Sequence, residues 1–375
     1  MHKLALRLKS DSGELLNIDA MRLIAALGIV FLHTSEYFIS DTASRNVLHH
    51  KIQPLALFVD LFFIISGYVI AYTSAHRVGT LSEYLFFLKK RVARLIPLHW
   101  VVLVFFVFVG ILIMSRGMHI NHPEIFDYSC LAYNVFLINA IGLCNHLTFN
   151  GVSWSIGAEF VMYITFPIYL SIKGVARTAF IVLPILILVL LFILRTDFTQ
   201  LHWSDWTAEY GALRALPSFM FGIALYYSDK LLKKIPTPGL LIISFFSLFI
   251  AGIILTWPTP ALICLIYLLA ASAIAGDVQS RVSRIARYIA PYGRLTYSLY
   301  MIHPVVIVIL YNFILDHFLH AVGLPRVLIA TAGELVILTA AYLSYEYYET
   351  PMRKWITRLG NNKIAVPTIH QNGIT

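Results

Sequence analysis

Residues 18–38 read IDAMRLIAALGIVFLHTSEYF, an apolar stretch of membrane-spanning length that contains Arg22 and His33. Eleven residues at 100° each make three helical turns plus about 20°, so both side chains lie on one helix face, roughly 16 Å apart along the axis. Ionisable groups inside a bilayer are costly and usually face a wet cavity, which favours a functional pair. The alternative is that Arg22 reaches the interface and that His33 is a structural polar residue near the far surface.

The composition indicates a membrane protein. Hydrophobic residues make up 59% of the 375 residues and charged residues 13%, whereas a soluble protein carries about a quarter charged residues. At about 20 residues per span, the apolar runs predict an all-α, polytopic integral-membrane bundle of about ten transmembrane helices. These runs cover residues 17–37, 55–73, 97–115, 154–172, 178–194, 210–228, 237–256, 260–276, 295–315 and 325–347. A shorter run, 129–142, predicts an interfacial or re-entrant helix.

The basic residues predict the orientation of the chain. With the N-terminus inside, most of the 28 Lys and Arg residues fall on the cytoplasmic side, which predicts that both termini are cytoplasmic. This bias accounts for most of the net charge of +9 and gives no support to nucleic-acid binding. We expect residues 1–355 to form one membrane domain and residues 356–375 to form a disordered cytoplasmic tail.

Several polar side chains are predicted to lie at similar depth in the outer half of the bilayer. Glu36 follows His33 by three residues, Asp60 enters the second span from outside, and Trp154 and Glu159 open the fourth span. A histidine beside a carboxylate is the usual equipment of a general base, so these groups predict an outward cavity with catalytic function. The alternative is that Trp154 belongs to the interfacial aromatic belt and Glu159 is a helix-start carboxylate.

A basic cluster precedes the third predicted span. Arg91 and Arg94 follow Lys89 and Lys90, and Pro97 is expected to begin the span. Positions i and i+3 share a helix face, so the two guanidinium groups could bind one phosphate-bearing ligand from the cytoplasm. The alternative is that the cluster anchors the helix against lipid headgroups.

The cysteines leave the redox state open. Cys130 and Cys144 both fall in a predicted outward segment and could form a disulfide if that side is oxidising. No cysteine–histidine cluster has the spacing of a metal site, so we predict that the chain binds no metal.

Six fragments in order along the chain resemble one family. They are NIDAMRLIAALGIVFLH, VDLFFIISGYVI, FLKKRVARLIPLHW, SWSIGAEFVMYITFP, YSLYMIHP and YYETPMRK. The ordered set resembles acyltransferase family 3, integral-membrane enzymes that O-acylate bacterial surface glycans and related acceptors. The resemblance covers roughly residues 15–355. Many relatives append an extracytoplasmic esterase-like domain, which we do not find in this sequence.

The resemblance implies roles for individual residues. The Arg-x10-His pattern implies that His33 is the essential histidine and that Arg22 is its partner. The Arg-x-x-Arg pattern implies that Arg91 and Arg94 handle cytoplasmic acyl-CoA. The other matched positions are Ser66, Gly67, Trp154, Ser155, Glu159, Tyr297, Ser298, Tyr300 and His303. The residues expected to position the substrate or to line its path are Glu36, Ser66, Trp154, Ser155, Tyr297, Tyr300 and His303. For His303 the alternative is a structural hydrogen bond to a neighbouring helix.

The residues and the resemblance together predict an O-acyltransferase, in the first place an O-acetyltransferase, of the bacterial inner membrane. The expected donor is acetyl-CoA or another acyl-CoA, with no permanently bound cofactor, and its phosphates would meet Arg22, Arg91 and Arg94. The expected acceptor is a hydroxyl of an extracytoplasmic or lipid-linked glycan such as lipopolysaccharide.

Two mechanisms and two different functions remain open from the sequence. His33 would remove a proton from the acceptor, with Glu159 or Asp60 orienting its imidazole, or it would itself accept the acyl group. The first alternative function is a multi-span transporter or flippase of a glycan or small metabolite, although the sequence shows no inverted repeat. The second is a non-catalytic membrane scaffold or polysaccharide-export partner.

Overall fold

A computed structural model describes residues 15–117, 122–172, 183–184, 186–187, 190 and 206–359. Within these residues all regular structure is helical. The main α-helices are α1 (Leu16–Thr34), α2 (Thr42–Ile52), α3 (Phe58–Ser74), α4 (Leu81–Ser115), α5 (Leu131–Val135), α6 (Ser153–Ile164), α7 (Phe166–Ile172), α8 (Gly211–Tyr226), α9 (Asp229–Leu232), α10 (Pro238–Ile254), α11 (Thr259–Val278), α12 (Arg284–Ile289), α13 (Thr296–Val306), α14 (Gly323–Ser344) and α15 (Thr350–Arg358). A π-helical stretch, Ile307–Phe318, continues α13.

The described helices form an all-helical bundle, as predicted, with several candidate membrane spans. Among the described residues, six stretches are long and apolar enough to cross a membrane: Leu16–Phe38, Thr42–Ser74, Leu81–Ser115, Thr259–Val278, Arg284–Phe318 and Gly323–Arg358. The predicted spans 210–228 and 237–256 correspond to the shorter apolar helices α8 and α10. The predicted span 154–172 is divided at Thr165 into α6 and α7. The predicted span 178–194 lies largely outside the described residues. The total of about ten spans and the sides of the termini stay predictions.

The helix that contains the third predicted span begins well before residue 97, the predicted start of that span. Helix α4 starts at Leu81, where the Thr80 side chain accepts from the Glu83 backbone N–H and Glu83 binds back to the Thr80 N–H. Pro97 therefore lies inside a 35-residue helix rather than at its start. A proline removes one backbone hydrogen bond, and membrane helices tolerate this when neighbours compensate. The missing N–H of Pro97 would have donated to the Ala93 carbonyl. The Pro97 carbonyl itself accepts from the Tyr348 hydroxyl at 3.2 Å, which attaches α4 to the π-helical segment Tyr345–Glu349.

The run 129–142 is helical over a shorter stretch than predicted. After α5 the chain turns at Leu137, which has a φ of 54°, and the residues that follow are irregular up to α6. Cys130 and Cys144 are joined by a disulfide that brackets this turn. The segment packs on α4, where the Tyr128 hydroxyl donates to the Val107 carbonyl at 2.9 Å.

Helices α3 and α8 cross in very close contact because each presents a glycine to the other. A Cβ atom on Gly67 would lie 2.0 Å from the carbonyl oxygen of Phe219, and one on Gly222 would lie 2.0 Å from that of Ile64. Small residues at such crossings let two membrane helices approach backbone to backbone. The contact fixes Ser66, the neighbour of Gly67, in the centre of the bundle.

The start of α1 is held by a carboxylate from the end of α11. Asp277 accepts hydrogen bonds from the backbone N–H groups of Asn17 and Ile18 at 2.9 and 3.0 Å. A carboxylate at a helix N-terminus satisfies free N–H donors and is favoured by the helix dipole. This anchor sets the position of Arg22, which lies in the second turn of α1.

Candidate active site

Three arginines from two helices line a small cavity. Arg91 and Arg94 lie one turn apart on α4, and with Arg22 of α1 they line a cavity of about 10 Å³. The Nε atoms of Arg22 and Arg91 are buried and have no hydrogen-bond partner among the described residues. Because an unpaired buried donor is costly, this arginine cluster (Arg22, Arg91 and Arg94) is suited to an anionic ligand.

Glu159 of α6 is the carboxylate at the arginine cluster. Its Oε1 accepts a hydrogen bond from the Ser66 hydroxyl at 2.5 Å and another from the Tyr163 hydroxyl. All three arginines lie within electrostatic range of this carboxylate. Asp19 and Glu349 also lie within electrostatic range of Arg94, so three carboxylates face the three arginines, and the case for an anionic ligand rests on the buried Nε atoms that have no partner among the described residues. Tyr163 was not among the predicted site residues, although its i+4 spacing from Glu159 places the two side chains on one helix face.

A larger cavity, about 60 Å³ in volume, extends from the arginine cluster into the bundle. It shares Arg22, Ser66, Arg94 and Glu159 with the smaller one. Along α3 its wall reaches from Ser66 back to Val59, which is about 10 Å at 1.5 Å per residue. Its sides include the apolar residues Val59, Phe62, Phe63, Leu95 and Ile156. The cavity is thus charged near the arginines and largely apolar along its length.

Ser155 and Tyr300 form part of the cavity wall away from the arginine cluster. Their hydroxyl oxygens are 2.8 Å apart, and either group can be the donor. The ring of Tyr300 also contacts the ring of His303 edge to face, with centroids 5.9 Å apart. Tyr300 therefore connects the cavity to His303, although neither His303 nor His33 lines the cavity itself.

The ring nitrogens of two histidines form a hydrogen bond beyond Tyr300. Nδ1 of His33 lies 2.8 Å from Nε2 of His303, and the two rings stack with centroids 5.1 Å apart. His303 is fully buried, whereas His33 is half-buried. The sequence predicts that a carboxylate, Glu159 or Asp60, orients His33. The structure instead places a second imidazole on it, and Glu159 bonds to the two hydroxyls on α3 and α6.

Asp60 forms an ion pair that accounts for its burial. Its carboxylate accepts from the Arg214 guanidinium at 2.8 and 3.4 Å, and both side chains are almost inaccessible to solvent. Arg214 also donates to the Ala56 carbonyl at 3.2 Å and lies over the ring of Trp154, 5.2 Å from its centroid. The pair joins α3 to α8, which corrects the expectation that Asp60 serves His33. Arg214 was missed because its partner is 154 residues away in the chain.

The other predicted positions fall in two environments. Trp154 is buried against Phe63 and does not lie in an exposed interfacial belt. Glu36 lies in the 3₁₀ turn Ser35–Phe38 that follows α1, where its carbonyl accepts from the Ile39 N–H at 3.2 Å. Trp154 is therefore part of the packed core, and Glu36 lies at the end of α1 near His33.

Tyr297 and Ser298 attach α13 to two neighbouring helical segments. The Tyr297 hydroxyl donates to the Leu95 carbonyl of α4, and the Ser298 hydroxyl donates to the buried carboxylate of Glu349 at 2.8 Å. Tyr297 also lines the larger cavity. Glu349, which the sequence analysis did not single out, lies within electrostatic range of Arg94. These bonds hold α13, and with it Tyr300 and His303, against α4.

The disulfide lies near a polar cluster outside the spans. The hydroxyl and the backbone N–H of Ser129 donate to Asp127 at 2.6 and 2.9 Å, and these bonds lower the pKa of that carboxyl. His146 lies 3.3 Å from Asp127 and close to both Cys130 and Cys144, a grouping that could resemble a metal site. In this structure the two sulfurs are bonded to each other, so they offer no thiolate ligand.

Comparisons with known proteins agree with the resemblance. A family model described as "Acyltransferase domain" matches residues 15–346. "Acyltransferase MdmB" of Streptomyces mycarofaciens is 27% identical over 156 residues, 41% of this chain and 38% of that protein. "Protein 2 in picA locus" of Rhizobium radiobacter is 38% identical over 93 residues, 24% of this chain and 43% of that protein. The chain thus aligns with about two fifths of the length of each relative.

No solved structure matches the chain. The family match covers nearly all of the described residues, from the start of α1 to the end of α14. It includes the arginine cluster, both cavities and the two stacked histidines. The chain therefore belongs to acyltransferase family 3.

Proposed function

We propose that this protein transfers an acyl group, in the first place acetyl, from acyl-CoA to a hydroxyl of an extracytoplasmic or lipid-linked glycan in a bacterial inner membrane. One observation carries the proposal. A cavity connects a positively charged cluster, Arg22, Arg91 and Arg94, to Tyr300, and Tyr300 contacts the stacked pair His33 and His303. The printed name of the relative from Streptomyces mycarofaciens, an acyltransferase, supports the reaction class.

The arginine cluster fits the donor end of the reaction. Guanidinium groups bind phosphate through charge-assisted hydrogen bonds, and the pyrophosphate of acyl-CoA would engage Arg22, Arg91 and Arg94. The pantetheine arm would then extend along the apolar sides of the larger cavity. That arm is long enough to cover the rise of roughly 16 Å between Arg22 and His33 along α1. The thioester would therefore reach the vicinity of the histidines.

His33 is the proposed general base. Its Nε2 takes the proton of the acceptor hydroxyl, and the oxygen attacks the thioester carbonyl carbon. The carbon–sulfur bond breaks, the sulfur leaves with the bonding electrons, and His33 returns its proton to that thiolate. The products are one ester and one free CoA. In the two-step variant the acyl group passes through a His33 nitrogen before it reaches the acceptor.

The test of this function uses surface glycans from a host that lacks the protein. The host is complemented with wild type, with His33→Ala or with His99→Gln, each at matched membrane levels. His99 is a suitable control because it is a fully buried histidine on α4 whose Nε2 binds the Asn134 carbonyl at 2.7 Å. Base-labile acyl groups on the glycans are then measured by NMR and mass spectrometry.

The expected result is an acyl group present with wild type and with His99→Gln and lost with His33→Ala. General-base catalysis contributes about 10²–10⁴-fold in rate, so the loss should be nearly complete. An equal acyl content with His33→Ala would remove His33 from the mechanism. No change in any glycan, together with altered transport of a glycan or metabolite, would favour the transporter alternative instead.

A further inference from the structure

The hydrogen bonds around His303 determine which of its ring nitrogens carries the proton. Nδ1 of His303 lies 3.2 Å from the Leu299 carbonyl oxygen, and the backbone of Tyr300 also interacts with the ring. Pro304 has no N–H, so the helix leaves the Tyr300 carbonyl without its usual donor. A carbonyl oxygen only accepts hydrogen bonds. Nδ1 of a neutral His303 is therefore the nitrogen that carries the proton.

The tautomer of His303 determines that of His33. With its proton on Nδ1, neutral His303 offers only a lone pair at Nε2. That Nε2 lies 2.8 Å from Nδ1 of His33, so His33 must donate the proton of this bond. Nε2 of His33 is then unprotonated. None of the residues that the structure describes forms a hydrogen bond with this nitrogen, and the atom is not buried.

We propose that His303 is the positioning residue of the active site, holding His33 in the Nδ1–H tautomer with Nε2 free to accept a proton. The catalytic role of His303 rests on the proposed function, whereas the effect of His303 on the tautomer of His33 does not. In serine hydrolases a carboxylate holds the base histidine in this tautomer. Here a neutral imidazole on α13 does so. When His33 takes the substrate proton at Nε2, its Nδ1–H still points at the His303 lone pair, which shares the new positive charge.

The position of His303 suits this role in two further ways. It is fully buried, so water does not compete for its lone pair. It also contacts Tyr300, which hydrogen-bonds with Ser155 in the cavity wall. The same side chain therefore connects the base, His33, to the cavity proposed to receive the thioester.

Two substitutions of similar size separate positioning from simple packing. His303→Gln places an amide oxygen near the site of Nε2 and can still accept the proton of His33 Nδ1. His303→Met fills similar space without a comparable acceptor. A packing role would tolerate both variants alike, whereas a positioning role predicts that only His303→Gln preserves the tautomer of His33.

The first readout is NMR of the full chain in lipid bilayers, labelled with ¹⁵N-histidine. The His33 signals are assigned by the difference between wild type and His33→Asn. We expect the protonated nitrogen of His33 to be Nδ1 in wild type and in His303→Gln. In His303→Met we expect the proton to move to Nε2, the form that free histidine prefers. An Nε2–H tautomer in wild type, or an unchanged tautomer in His303→Met, would overturn the inference even if the protein proved inactive.

The second readout is steady-state acyl transfer per folded molecule, with His99→Gln and His99→Met as matched controls. We expect His303→Met to lower kcat by about tenfold or more, as expected when the base is held in the wrong tautomer, with little change in KM for acyl-CoA. His303→Gln should recover much of this loss. Equal kcat values for the two His303 variants, with His33→Ala inactive, would refute the positioning role and leave the proposed acyltransferase function standing.

Discussion

At the residue scale, the arginine cluster contains guanidinium donors that its neighbours leave without a hydrogen bond. Arg22 is 3.6 Å from Asp19, and Glu159 bonds directly to hydroxyl groups rather than to an arginine. Two guanidinium Nε atoms remain buried without a partner. Such donors gain most from a ligand that supplies several oxygens at once, and this is the property that the proposed binding of acyl-CoA phosphates uses.

The arginines should therefore determine donor affinity. We predict that Arg91→Gln with Arg94→Gln raises KM for acyl-CoA, because each lost charge-assisted hydrogen bond costs about 1.5–3 kcal/mol, or about tenfold or more in affinity. The control is Lys233→Gln with Lys234→Gln, since Lys233 pairs with the exposed Asp229. The measurement is initial rate against acyl-CoA concentration. Equal KM values for the two double variants would mean that Arg91 and Arg94 are only topological anchors.

Asp60 should contribute to the stability of the folded protein rather than to catalysis. Asp60→Asn or Arg214→Met breaks the buried ion pair between these two side chains, and breaking a buried pair costs about 3–5 kcal/mol. We predict a lower unfolding temperature for each single variant and a partial recovery in the double variant Asp60→Leu with Arg214→Met. Thermal unfolding in detergent checks this. A stable, folded Asp60→Asn protein without activity would restore the catalytic role expected from the sequence.

The sequence supplied the chemical groups of the site but not their pairing. Arg91 and Arg94 could be placed together because an i, i+3 relationship is local. His33 and His303 are 270 residues apart and Asp60 and Arg214 are 154 apart, so no local periodicity connects them. An acidic partner for His33 was the natural expectation, and it was wrong because Glu159 and Asp60 are already engaged by nearer groups.

At the element scale, the crossing of α3 and α8 positions the part of the site that α3 contributes. The crossing depends on Gly67 and Gly222, whose missing side chains allow carbonyl oxygens to approach. It places Ser66 where its hydroxyl reaches Glu159 on α6. Hydropathy located the apolar half of α4 but not its polar first half. A local signal does mark that start, because Thr80 and Glu83 have the spacing of a capping box, and it was missed.

We predict that Gly67→Ala disrupts this crossing. Its Cβ would collide with a backbone carbonyl, which cannot rotate away as a flexible side chain can. The folded yield should fall, and activity per folded molecule should fall with it as Ser66 moves away from Glu159. Gly239→Ala on α10 is the matched control, because a Cβ there meets nothing within 4 Å. Size-exclusion profiles and acyl-transfer rates measure both effects, and normal behaviour of Gly67→Ala would contradict the close crossing.

At the scale of the whole molecule, the arginine cluster and the disulfide segment lie at different positions along α4. The arginine cluster lies in the first half of α4, and the disulfide segment packs near Val107, about 20 Å farther along the helix from Arg94 at 1.5 Å per residue. The apolar runs and the distribution of Lys and Arg along the sequence predict that these two groups face opposite sides of the membrane. Sequence reasoning identified the helical class well, since spans need only length and apolar composition.

The disulfide gives a test of stability and orientation together. It closes a loop with a sequence separation of 14, and such a crosslink contributes about 2–4 kcal/mol. We predict that Cys130→Ser with Cys144→Ser lowers the unfolding temperature and that a reductant lowers that of wild type by a similar amount.

In intact cells, an impermeant thiol reagent should label these cysteines only after reduction from outside. Labelling that requires access from the cytoplasm would reverse the predicted orientation.

The most direct measurement of the central claim is transfer by the purified protein in lipid nanodiscs. Acetyl-CoA labelled in its acetyl group is supplied with a glycan extract from the host, and free CoA and base-labile labelled ester are measured together. We predict that wild type forms both products in equal amounts and that His33→Ala forms neither, while His99→Gln resembles wild type. Equal ester formation by wild type and His33→Ala would contradict the account.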